Sequence, residues 1–124
     1  MPGRPVIVSV VDDPENGDSR VTVTLDWEDR AWEGHAAGPG EQRVRLAGEA
    51  TLDAVAHMVD GISPLELLAI ASTGLGPASV ALAQVRYGDG DVLVGSAIET
   101  EPDDRLAAVR AVMDAINRRL ERDL

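Results

Sequence analysis

A chain of 124 residues, 44% of them hydrophobic, is long enough for one domain with a single core and is not expected to be disordered. Acids outnumber bases 22 to 11, and the formal charge of −11 repels nucleic-acid phosphates and anionic membrane surfaces. Cysteine is absent, which removes disulfides, thiolate metal sites and thiol catalysis.

The charge gives a first prediction: no binding to duplex DNA or RNA at physiological salt. Submicromolar binding with a steep salt slope would overturn it. All the basic residues are Arg. With no Phe, one Tyr and two Trp, the core must be built from Val, Leu, Ile and Ala. No apolar run approaches the roughly 20 residues of a membrane span, and the first residues lack a signal-peptide core. A cytoplasmic protein is expected.

Met1 to Pro5 reads as a loose start. Val6 to Val11 is rich in β-branched residues and predicts a strand. Asp12 to Ser19 holds Pro14, Asn16 and Gly17 among acids, which predicts an acidic loop over 12–19. Arg20 to Trp27 places Val21, Val23, Leu25 and Trp27 on one face at period two, a half-buried strand. Glu28-Asp29 turns the chain into a second strand, Arg30 to Ala36, and Trp27 is expected to pack against Trp32 across the hairpin. Packing is the simpler role for both Trp residues, a ligand platform the sharper one.

Gly38-Pro39-Gly40 then breaks the strand. Val44, Ala47, Thr51, Val55 and Met58 recur at three and four and predict a helix over 41–59. His57 near its end suits a helix-terminal cation. The other histidine, His35, lies in the strand before, and two isolated histidines without a spaced carboxylate partner make a weak metal signal.

Ser63 to Thr73 is open between two readings. Ser63-Pro64-Leu65-Glu66 fits a helix capping box, whereas Leu65, Leu67, Ala69 and Ala71 alternate as in a strand. Gly74-Leu75-Gly76-Pro77 reads as a turn. Ala78 to Tyr87 and Val92 to Glu99 form a hairpin around Gly88-Asp89-Gly90. Gly95, inside the last strand, marks a bulge or a close approach by backbone or helix, and replacing it by Val is expected to cost about 1–3 kcal/mol. A final helix follows, with Asp103 as N-cap and Leu106, Val109, Val112, Met113, Ile116 and Leu120 as its apolar stripe. Arg118, Arg119 and Arg122 gather in its last turns, where the dipole favours cations. Asn117 stands at the edge of the stripe.

The chain therefore falls into two halves, 6–60 and 61–122, within one domain spanning 1–124. Gly38-Pro39, Gly76 with Ala78 and Ala81, Val94-Gly95-Ser96-Ala97-Ile98 and Ala111-Val112-Met113-Asp114-Ala115-Ile116-Asn117-Arg118 resemble the C-terminal regulatory domain of 2-isopropylmalate synthase and citramalate synthase. The resemblance covers roughly residues 20–122. It implies an α+β fold of two βββα units, with six or seven strands and two long helices in a sheet-and-helix arrangement. It also tips residues 65–73 toward strand. It implies dimerisation and a small amino-acid-like effector, with Gly76, Ala78, Gly95 and Ala97 nearest to such a pocket. The family's catalytic barrel has no counterpart here, so its acyl transfer is not implied. The helix, three strands and helix of a double-stranded-RNA-binding domain also match residues 41–122, but the charge argues against that function.

Three functions compete. One is a non-catalytic regulatory or ligand-binding module that dimerises. Another is an acidic protein-interaction module without a small ligand. An enzyme is the third, and no nucleophile–base pair, phosphate loop or histidine cluster supports it. No cofactor is expected. Glu99, Glu101, Asp103 and Asp104 are the only candidate divalent-cation ligands, and helix capping already explains the Asp pair. For the dimer, one phase of the last hairpin must stay outside the helix-covered face. It is either Val80, Leu82, Val92, Val94 and Ile98 or the neighbouring Ala81, Ala83, Val85, Leu93 and Ala97.

Overall fold

A computed structural model of the chain describes residues 4–59, 61–99 and 104–123. Three strands, β1 (Val6–Glu15), β2 (Asp18–Trp27) and β3 (Arg30–Pro39), lead through a 3-10 turn (Gly40–Gln42) into helix α1 (Arg43–Met58). The order then repeats as β4 (Leu65–Leu75), β5 (Ala78–Tyr87), β6 (Asp91–Glu99) and α2 (Asp104–Asp123). Each trio forms its own antiparallel sheet, ordered β1-β2-β3 and β4-β5-β6. The fold is α+β, built of two βββα units.

Period-two patterning explains the central strands. Val21, Val23 and Leu25 of β2 are fully buried between half-buried Thr22 and Thr24. In β5, Ala81, Ala83, Val85 and Tyr87 point inward in the same way. Residues 65–75 are a strand, and its alternation is broken once. A bulge between Leu67 and Ala69 shifts the phase, so that Leu67 and then Ile70 face inward. The first unit has the matching bulge between Ile7 and Ser9.

The acidic loop expected over 12–19 is not a loop. β1 continues through Glu15, and the turn is only Asn16-Gly17, with φ of 52° and 85°. Two successive residues at positive φ make a type I′ turn, whose twist matches the flanking strands. Pro14 is tolerated because β1 is an edge strand and needs no ladder hydrogen bond on its open side. Asp12 accepts a hydrogen bond from buried Ser19 and lies 3.2 Å from Arg105 of α2. Asp12 thus ties the first sheet to the second unit. β4 likewise extends to Leu75, leaving Gly76-Pro77 as the turn, with Gly76 at φ 60°. The two tryptophans are not directly opposed: Trp32 pairs with Leu25, and Trp27 with Arg30. The Arg30 guanidinium covers the Trp32 ring at 4.4 Å.

α1 lies across β2 and β3 and also touches β4, while α2 lies across β5 and β6 and touches α1. A Cβ on Gly48 would sit 2.9 Å from Leu67 Cδ2 and 3.4 Å from Val112 Cγ2, so this glycine lets α1, α2 and β4 meet. One contiguous core results, containing Val21, Val23, Leu25 and Val55 of the first unit with Val85, Val109, Val112 and Ile116 of the second. The expected α2 cap, Asp103, lies outside the described residues. Among the described residues, no helix is long and apolar enough to cross a membrane.

The units correspond residue by residue. Val21, Val23 and Leu25 occupy the positions of Ala81, Ala83 and Val85, and Gly34 that of Gly95. Ala50, Asp53 and Ala54 correspond to Ala111, Asp114 and Ala115. The turn Gly88-Asp89-Gly90 is one residue longer than Glu28-Asp29, and no other insertion separates these positions.

Candidate functional site

The helix-facing side of each third strand is closed by backbone contact. A Cβ on Gly95 would fall 2.2 Å from the Ala111 carbonyl oxygen and 2.3 Å from the Ala115 nitrogen. On Gly34 it would fall 2.0 Å from the Ala50 oxygen and 2.2 Å from the Ala54 nitrogen. Beside each contact a helix carboxylate reaches the strand. Asp53 Oδ2 accepts the His35 N–H, and Asp114 Oδ2 the Ser96 N–H, both at 2.9 Å. His57 Nδ1 adds a bond to the Glu33 carbonyl at 3.0 Å, and its Nε2 lies 3.8 Å from Asp53. The two histidines therefore serve separate contacts, since His35 Nδ1 bonds Thr22 Oγ1 at 3.0 Å.

This geometry corrects the expected pocket. Gly95 has no room for a ligand, because the α2 backbone already fills the space. Ala97 is half-buried on the same helix-facing side, opposite Ala81. Ala78 pairs with Leu75, and Gly76 sits in the β4–β5 turn with nothing within 4 Å of a Cβ. The four residues do not converge.

The five residues expected at an interface do share a surface. Val80 pairs with Ile98, Leu82 with Ala71 and Ser96, Gln84 with Val94, and Arg86 with Val92. All lie on the side of the second sheet away from the helices. Leu82, Val92, Val94 and Ile98 are 38–64% exposed, and Val80 is half-buried. The alternative set, Ala81, Ala83, Val85, Leu93 and Ala97, faces the helices. Leu75, 71% exposed, extends the patch. Reading residues 74–77 as a turn concealed it. Charge enters this face at the end carrying the Arg86–Glu66 pair, 3.5 Å apart. The corresponding face of the first sheet has Arg20, Thr22, Thr24 and Asp26 on its central strand, although Val6 and Val11 are exposed on β1.

A cleft of about 630 Å³ lies between α1, the connection to β4 and β4 itself, and sequence patterning gave no sign of it. Leu52, Val59, Ile62 and Leu65 line it with Arg45, Glu49, Asp53 and Glu66. Its charged groups already have partners. Arg45 donates to the Leu67 carbonyl at 2.9 Å and lies 3.8 Å from Glu49, Glu66 meets Arg86, and Asp53 holds the β3 backbone.

Of the acids considered for a cation, the two described ones have partners within the chain. Glu99 accepts from Ser72 at 2.8 Å and Asp104 lies 4.0 Å from Arg43, while Glu101 and Asp103 lie outside the described residues. Among the described residues, no three His, Cys, Asp or Glu side chains converge as metal ligands. Arg119 bonds Asp91 at 2.7 Å and covers the Tyr87 ring at 5.0 Å, so it staples α2 to the last hairpin. No protein-family model matches the chain, and no curated protein matches it.

Proposed function

We propose that this chain is a non-catalytic regulatory module that acts as a homodimer in the cytoplasm and binds a small amino-acid-like metabolite. The observation that carries the reading is the uncovered apolar face of the second sheet. It places Leu75, Leu82, Val92, Val94 and Ile98 on a surface that a monomer would leave in water. Contiguous apolar patches above a few hundred Å² mark interaction sites. The ligand class rests on the resemblance to amino-acid-sensing domains. The cleft beside α1, lined by charges of both signs among apolar side chains, is where such a zwitterion would be sought.

A thermal-shift screen against amino acids and 2-keto acids tests the ligand. A true effector at a hundredfold its dissociation constant adds about 2.7 kcal/mol of stability. A flat response across both classes would remove the ligand from the proposal. Light scattering over a concentration series tests the dimer, and a mass of 13.1 kDa throughout would remove that part.

A further inference from the structure

We infer that the two copies of the proposed dimer meet face to face, the outer surface of β4-β5-β6 against its own counterpart, and not edge to edge. This rests on the dimer reading and specifies its geometry.

Each sheet edge carries an obstacle to a second chain. On β3 the His35 N–H and Glu33 carbonyl are taken by Asp53 and His57, and on β6 the Ser96 N–H is taken by Asp114. On β4 Arg45 takes the Leu67 carbonyl. β1 carries Pro14 and the acids Asp13 and Glu15. Covered backbone groups, proline and charge are the means by which sheets avoid edge pairing.

The outer face is the opposite case. Between Leu75 at one end and the Glu66–Arg86 pair at the other, its outward residues are Ala71, Thr73, Val80, Leu82, Gln84, Val94, Ser96 and Ile98. None is charged. In a chain of net charge −11, two copies approach at least cost where neither presents charge. A basic partner would find nothing to pair with on this face, whereas a second copy offers the same apolar rows about a twofold axis. Three strands about 4.8 Å apart and some nine residues long give a projected face on the order of 400 Å². Two such faces together bury on the order of 800 Å², less than the roughly 1,000 Å² of a stable interface and in the range of weak, transient association. The dimer should therefore dissociate on dilution. Assembly stops at two because the matching face of the first sheet carries Arg20 and Asp26 on its central strand.

The test is sedimentation or light scattering of the wild type, of Leu82→Glu combined with Val94→Glu, and of Thr24→Glu as the control on the first sheet. Leu82 and Val94 point outward, so circular dichroism should show the double variant folded. The wild type is expected at twice 13.1 kDa at high concentration. The double variant is expected to be monomeric, its dissociation constant raised by at least about 100-fold, because like charges would be buried against one another. Thr24→Glu is expected to match the wild type within about twofold, as peripheral surface changes do. A wild type that stays monomeric would remove the dimer and this geometry together. A wild-type dimer that survives both substitutions, or is lost equally in Thr24→Glu, would overturn the face-to-face geometry alone.

Discussion

Gly95→Val is expected to cost more than about 3 kcal/mol, above the usual range for overpacking, because the obstruction is backbone and not side chain. The added Cβ would lie 2.2 Å from the Ala111 oxygen and 2.3 Å from the Ala115 nitrogen. A flexible side chain can rotate away from such a contact. Here the whole of α2 must lift from β6, opening the core around Ile116 and losing the Asp114–Ser96 bond. Even Gly95→Ala should be strongly destabilising, and Gly34 should behave the same way. Gly74→Ala is the control, since nothing lies within 4 Å of its Cβ. Denaturant unfolding separates the cases, and an unchanged midpoint for Gly95→Val would refute the contact.

The second large effect concerns how far the core is shared. Leu25 is fully buried, and truncation to Ala is expected to cost about 2–5 kcal/mol. Its side chain belongs to the first unit, but the apolar cluster runs without a break into Val85, Val112 and Ile116 of the second. Leu25→Ala should therefore lower the stability of both units at once and keep a single unfolding transition. Two separate transitions in calorimetry would show that the units fold independently. Leu82→Ala, on the exposed face, should change monomer stability by no more than about 0.5 kcal/mol.

Most of the fold was legible where burial on one face imposed a period. The alternation of Val21, Val23 and Leu25 and the helix stripe of Val109, Val112 and Ile116 are direct records of what each element touches. The strand assignment of residues 65–73 was also right, but its phase was not, because a bulge adds a residue that alternation cannot register. The acidic hairpin was missed for a different reason. Pro14 and four acids outweighed the Asn16-Gly17 signal, and an edge strand tolerates both features.

Both phases of β5 and β6 are apolar, so the sequence left two sets open, and the packing leaves Val80, Leu82, Val92, Val94 and Ile98 on the outer face. What Gly95 and Ala97 face could not be read from the sequence. Small residues are equally suited to admitting a ligand and to admitting a helix, and nothing in Gly95 or Ala97 distinguishes the two. The cleft beside α1 left no trace in the pattern because it arises from the path of a connection.

The glycine–carboxylate contact that recurs in both halves has a further consequence. It sets the spacing between helix and third strand by main-chain geometry, with Gly34 and Asp53 in one half and Gly95 and Asp114 in the other. Side chains elsewhere are then released from that duty. Thr22 and Thr24 on one outer surface and Leu82 and Val94 on the other can diverge without disturbing the framework they stand on. This shared gauge lets the outer faces of the two halves differ, one polar along its central strand and the other apolar.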